Sequence, residues 1–137
     1  MITAIDTNII IDILEPDPIF GPASKAALKL CFQDGSVIAC EVVWAEDVTA
    51  YGSRIKEAVD VMSRIGIEYS AMTLEATLEA AKRWSTFRKK NKVRDRIVAD
   101  FLVGGHALAL SDRLLTRDRG FYRDYFKPLK VKSPNTA

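Results

Sequence analysis

Short apolar runs alternate along this chain with longer stretches whose apolar residues recur every three or four positions, and few folds accept that alternation. "ITAI" at 2–5, "SVIAC" at 36–40, "IEY" at 67–69 and "RLLT" at 113–116 read as short buried strands, and "LKVK" at 129–132 as an edge strand. Helical patterns separate them. They cover Ile9–Leu14, Pro22–Phe32 and Val42–Tyr51. A fourth, capped by Ser53 and closed by Gly66, has Ile55, Ala58, Val59, Met62 and Ile65 on one face. A fifth runs from the Thr73 cap to about Lys89, with Leu74, Leu78, Ala81 and Trp84 as its apolar stripe. A sixth runs from about Arg96 to Leu110, and "GFYRDYF" is a short aromatic helix. This order predicts an α/β domain with a mostly parallel sheet of four to five strands covered on both faces. The 137 residues suit one domain over 1–132, with 133–137 a frayed tail.

The apolar share of 48% and charged share of 28% are those of a globular protein. Cys31 and Cys40 form neither a disulfide framework nor a metal-ligand spacing, as expected of reduced thiols in a cytoplasmic protein. No basic start precedes the first apolar stretch, which Asp6 interrupts, and no apolar run approaches the ~20 residues that span a bilayer, so neither a leader nor a membrane is expected. The net charge of +2 points to no partner, but its distribution does. Residues 82–96, "KRWSTFRKKNKVRDR", concentrate the basic side chains and leave the rest of the chain net acidic.

Three acids stand where a fold of this kind should bury apolar groups or place a ligand. Ligands of open parallel sheets bind beyond the carboxyl ends of the strands. Asp6 directly follows the first strand and Asp118 follows "RLLT" after one residue. Asp100 has Arg96, Ile97, Val103 and Gly104 as its neighbours one turn away, which makes it a partly buried carboxylate or one facing a cleft. A fourth acid lies on the third helix, where Glu46 and Asp47 sit in equally apolar company and periodicity does not choose between them. Taken singly, each acid has a plainer role: Asp6-Thr7-Asn8 is a good helix cap, "TRDRG" a turn with a salt bridge, and Asp100 a partner for Arg96. Taken together, acids converging on one cleft would raise each other's pKa unless a cation intervened. Oxygen ligands suit Mg²⁺ or Mn²⁺, and the lack of a Cys/His cluster argues against zinc.

In order and spacing these segments resemble the PIN-domain ribonucleases, in particular the VapC-like toxins of toxin–antitoxin pairs. "AIDTNIIIDIL" is similar to the family's opening motif, "VVWAEDVTAYG" to its second acidic segment, "RIVADFLVGGHAL" to the third and "LLTRDRGFYRDYF" to the closing one. The resemblance implies a three-layer α/β/α fold and endonuclease activity on RNA. It implies a divalent metal held by Asp6, Glu46, Asp100 and Asp118, with the second acid falling on Glu46. It also implies a small antitoxin protein whose C-terminal segment occupies the cleft, and a homodimer. Thr116 takes the family's Ser/Thr position and would hold Asp6 by a hydrogen bond, and Asn8 would cap the first helix or touch a ligand. Asp12 and Asp112 lie near these motifs and are expected at the surface or in caps.

On this reading a metal at Asp6, Asp100 and Asp118 acidifies a water and polarises a phosphate oxygen, with Glu46 binding a second metal or orienting the water. Arg88, Lys89, Lys90, Lys92, Arg94 and Arg96 would follow an RNA backbone, although a solvated helix end explains such a run equally well. Trp84 and Phe87 are candidates for base stacking, with burial in the core the commoner fate, and His106 is expected to pack rather than to catalyse. Two other classes stay open. One is a phosphatase with Asp6 as nucleophile, for which Asn8 stands where a second acid is usual. The other is a non-catalytic RNA- or protein-binding module.

Overall fold

The computed structural model describes residues 1–90 and 98–134. Five parallel strands form one sheet: β1 (Ile2–Ile5), β2 (Ser36–Ala39), β3 (Glu68–Tyr69), β4 (Arg113–Leu115) and β5 (Val131–Lys132), in the order β3-β2-β1-β4-β5. The helices are α1 (Thr7–Leu14), α2 (Gly21–Asp34), α3 (Glu41–Ala50), α4 (Ile55–Ile65), α5 (Leu74–Lys90), α6 (Val98–Leu110) and α7 (Arg119–Tyr125). Consecutive residues of β1 and β2 are buried (Thr3, Ala4 and Ile5; Val37, Ile38 and Ala39), so both faces of the central sheet are covered. This is a three-layer α/β/α arrangement. β5 lies at the edge, as its sequence predicted.

The first chain connections place β2 on one side of β1, and β4 comes in on the other. This reversal makes the carboxyl ends of β1 and β4 the switch point of the sheet, the place where open parallel sheets bind their ligands. Register then sets what meets there. Ile5 pairs with Leu115, so the next residues along the two strands, Asp6 and Thr116, come side by side.

Several helices turn differently from their apolar stripes. α5 buries Ala76, Ala80 and Phe87, while Leu74 and Leu78 of the expected stripe are exposed. The reason is its neighbour. α6 presents Gly104 and Gly105, and a Cβ on Gly105 would lie 2.4 Å from the Ala76 carbonyl oxygen and 2.9 Å from Ala80 Cβ. The two helices approach through their smallest residues, which leaves the larger ones of α5 outside. α4 likewise buries Ala58 and Met62 and exposes Ile55 and Val59, and its N-cap is Arg54 rather than Ser53. Gly66 at φ +99° ends it in the left-handed conformation that favours glycine.

The aromatic residues of "GFYRDYF" pack into the core. Phe121, Tyr122 and Phe126 are buried, and Phe101 packs edge-on to Phe87 and Phe121 at 5.4 and 5.2 Å. Phe87 is therefore not free to stack on a base. Trp84 is half-buried, with its ring near Phe101 on one side and the Arg88 guanidinium 5.5 Å away on the other. His106 is buried and hydrogen-bonded to Ser70 Oγ at 3.0 Å, a packing role. Among the described residues no helix is long and apolar enough to cross a membrane.

Candidate functional site

Asp6 follows β1 directly, in extended conformation, and is the N-cap of α1. Its Oδ1 accepts from the Thr7 amide at 2.8 Å, and its Oδ2 accepts from Thr116 Oγ1 at 2.8 Å and, at 3.4 Å, from the Tyr122 hydroxyl. The carboxyl is nearly inaccessible. Burial pushes its pKa up to about 6 against these donors, and the charges of Asp100 and Glu46 add to the rise. Cap and ligand are compatible roles for Asp6, since only one of its oxygens is used by the cap.

Asn8 does not cap. Its Nδ2 donates to Thr116 Oγ1 at 3.3 Å and its Oδ1 accepts from the Arg117 amide at 3.2 Å, tying the first turn of α1 to the end of β4. The cap position is taken by Asp6, one residue before the helix, which leaves Asn8 in the helix with its side chain turned to the neighbouring strand. The Asp118 amide donates to Thr116 Oγ1 at 3.0 Å. Thr116, fully buried, therefore joins three of the candidate residues.

Glu46 and Asp47 separate cleanly. α3 turns Val43 and Asp47 inward, and Glu46 is exposed at the rim rather than partly buried as its neighbours predicted. The Glu46 carboxylate accepts from Thr7 Oγ1 at 2.8 Å, which places it next to Asp6. Asp47 faces Glu15 and Tyr51 instead. Neither of its oxygens has a hydrogen-bond partner among the described residues, and burial raises its pKa to about 6. The folded pKa lies above the ordinary 3.8, so the penalty is absent below pH ~4, grows between ~4 and ~6, and is complete above. Asp47→Asn should therefore stabilise the protein by about 2 kcal/mol at pH 8 and by almost nothing at pH 4, since a tenfold change in acidity is worth about 1.36 kcal/mol before local relaxation reduces it. Urea unfolding of both proteins at the two pH values checks this. A gain independent of pH would mean that charge is not the cause.

Asp100, in the first turn of α6, and Asp118, the N-cap of α7, are both partly exposed. The sequence pattern does not reveal the residue that locates them. The Tyr122 hydroxyl is buried, lies 3.4 Å from the Asp100 carbonyl oxygen, and is raised well above its usual pKa by burial and then by the charges of Asp6, Asp100 and Asp118. One tyrosine thus senses three of the four acids. In the sequence only its place in an aromatic run is visible. Asp12 departs from its expected surface place: it is buried and paired with Arg117, whereas Asp112 is exposed and caps β1 through the Ile2 amide.

Among the described residues, no three acidic, histidine or cysteine side chains stand together as a ready-made metal cage. The donor chemistry nonetheless fits a hard dication. Every candidate is a carboxylate, and Asp6 carries an unfavourable buried charge in the field of two more acids, which a cation would relieve. An open set of this kind suits Mg²⁺ or Mn²⁺, which keep several waters. Of the basic run, Arg88, Lys89 and Lys90 are exposed at the end of α5, whereas Lys92, Arg94 and Arg96 lie outside the described residues.

The sequence matches the family model of the PIN domain over residues 3–127. The chain belongs to the PIN domain family. This PIN domain shares its fold with the Rickettsia felis VapBC2 complex bound to a promoter DNA fragment (TM-score 0.76, 17% identity, 98% of this chain and 100% of the other). It is also similar to VapBC-1 from nontypeable Haemophilus influenzae (TM-score 0.72, 18% identity, 97% and 98%). A third neighbour is FitAcB from Neisseria gonorrhoeae (TM-score 0.69, 20% identity, 96% of both chains). No curated protein matches the sequence.

Proposed function

We propose that this PIN domain is a metal-dependent endoribonuclease acting as the toxin of a toxin–antitoxin pair. The observation that carries the reading is the Asp6 carboxylate buried at the switch point and bonded to Thr116 and Tyr122, with Glu46 held beside it by Thr7 and Asp118 tied to the same Thr116 hydroxyl. Asp6, Asp100 and Asp118 would hold Mg²⁺ or Mn²⁺, with Glu46 as a further ligand or the group that orients water. When bound, the cation supplies neutralisation of phosphate charge and a water of lowered pKa. The chain's own work is positioning. Thr116 and the Thr7 amide fix both oxygens of Asp6, and Thr7 Oγ1 fixes Glu46 at the rim. Glu46 is exposed, so it can accept a proton from a water approaching a bound phosphodiester and release it to solvent.

The basic end of α5 supplies cations for a phosphate backbone, including Arg88, Lys89 and Lys90. The neighbouring VapBC and FitAcB structures support a small antitoxin protein as partner; its seat over the acidic site, a homodimer and a cytoplasmic setting are further parts of the proposal. A phosphatase using Asp6 as nucleophile is disfavoured, because Asn8 stands where a second acid is usual and its side chain is tied to Thr116 and the Arg117 amide.

Purified protein incubated with labelled mixed-sequence RNA should cleave it with Mn²⁺ or Mg²⁺ and not with EDTA, leaving 5′-phosphate and 3′-hydroxyl ends. Ends carrying a 2′,3′-cyclic phosphate would overturn water attack. RNA binding without cleavage under any metal would favour the non-catalytic module.

A further inference from the structure

An arginine stands between Thr116 and Asp118, in the turn that carries two of the candidate site's groups. Its fork is engaged by Asp12 rather than by the candidate acids. Arg117 Nε donates to Asp12 Oδ2 at 2.7 Å and Nη2 donates to Asp12 Oδ1 at 3.0 Å, a bidentate pair. Asp12 Oδ2 also accepts from Ser24 Oγ on α2 at 2.7 Å, and the guanidinium carbon lies 4.1 Å from the Phe20 ring centroid. Asp12 is buried, so its charge depends on this partner. The side chain of Arg117 is thereby held by α1 and by the loop that follows it, and α2 braces the same carboxylate through Ser24.

Its backbone is tied to the same helix by a second route. The Arg117 amide donates to Asn8 Oδ1, Asn8 Nδ2 donates to Thr116 Oγ1, and Thr116 Oγ1 accepts from the Asp118 amide and donates to Asp6. One residue therefore anchors the turn after β4 to α1 at two points, and the turn carries Asp118 and orients Asp6. We propose that the Asp12–Arg117 pair is a positioning device for the acidic site. It sets the turn geometry that aims Thr116 at Asp6 and places Asp118 at the acidic site, and it holds a guanidinium away from the candidate acids. The inference rests on the nuclease reading for its functional consequence but not for its structural one.

The test uses the full chain and the variants Arg117→Gln, Arg117→Lys and Asp12→Asn, with Asp12→Asn/Arg117→Gln as the double variant. In metal-free protein, amide exchange at Arg117 and Asp118 should rise about tenfold or more in Arg117→Gln and in Asp12→Asn, while the Thr116 amide, bonded to the Lys132 carbonyl, holds its rate. Mn²⁺ affinity should fall roughly 10–100-fold and kcat on RNA should fall with it, as for other groups that orient a metal's ligands, with KM little changed. Because the pair acts as a unit, the double variant should be no worse than either single one. Arg117→Lys keeps the charge without the fork and should lie between; it also carries the test if Arg117→Gln fails to fold. Unchanged exchange at residues 117 and 118, or additive losses, would overturn the proposal. A loss confined to KM would also overturn it, by making Arg117 an RNA contact. If exchange responds but the native protein neither binds Mn²⁺ nor cleaves RNA, the positioning role stands and the nuclease reading falls.

Discussion

Asp6→Asn should abolish RNA cleavage while making the metal-free protein more stable at neutral pH. Removing a group that merely orients a metal's ligands costs roughly 10–100-fold in affinity or activity, so loss of the central ligand is expected to exceed about 100-fold. The stability change has the opposite sign. Burial raises the Asp6 pKa from 3.8 to about 6, so the folded state prefers the protonated form. Its penalty is absent below pH ~4, grows between ~4 and ~6 as the unfolded chain ionises first, and is complete above ~6. The rise corresponds to a ceiling of about 3 kcal/mol. Asparagine keeps only one acceptor oxygen for the three donors at Thr7, Thr116 and Tyr122, which returns about 1 kcal/mol. A net gain of about 1–2 kcal/mol is expected by urea unfolding in EDTA at pH 8, shrinking to zero or reversing at pH 4. A variant less stable than the native protein at pH 8 would show that the hydrogen bonds to Asp6 outweigh its buried charge.

The second large effect lies away from the acids. Gly105→Ala should cost about 3 kcal/mol, although alanine is favoured over glycine in a helix by about 1 kcal/mol. The new Cβ would meet the Ala76 carbonyl oxygen at 2.4 Å and the Ala80 amide nitrogen at 2.9 Å. These are backbone atoms of α5, which cannot swing aside. The two helices must separate, opening the contact that Ala76 and Ala80 make. A thermal scan should show Tm lowered by about 10 °C. Gly104→Ala is the control. Its Cβ would meet the Phe126 ring at 2.5 Å, and a ring can shift, so a smaller loss is expected. Equal losses at the two sites would mean that α6 has no preferred side. Because α6 also carries Asp100, Gly105→Ala should weaken cleavage even where the variant remains folded.

The sequence by itself determined the strand and helix order, the covered parallel sheet and the positions of four acids. Periodicity is local information, and a short apolar run ending at a carboxylate reads the same in any context. What it could not decide was rotation. The Leu74–Leu78 stripe looked like the buried face of α5, and Glu46 and Asp47 looked alike, because a helix's apolar side is set by the neighbour it meets. α6 offers glycines, so α5 turns its alanines inward; α3 turns Asp47 inward and leaves Glu46 at the rim. Apart from the Thr116–Asp6 hydrogen bond, which the family resemblance implied, contacts across more than a hundred residues were equally out of reach. Tyr122 against Asp6, Arg117 against Asp12 and Asn8 against Thr116 exist only because β1 pairs with β4 in one register, and that register places Asp6 beside Thr116. The chemistry of the acids was written in residue types; their common surroundings came from the sheet.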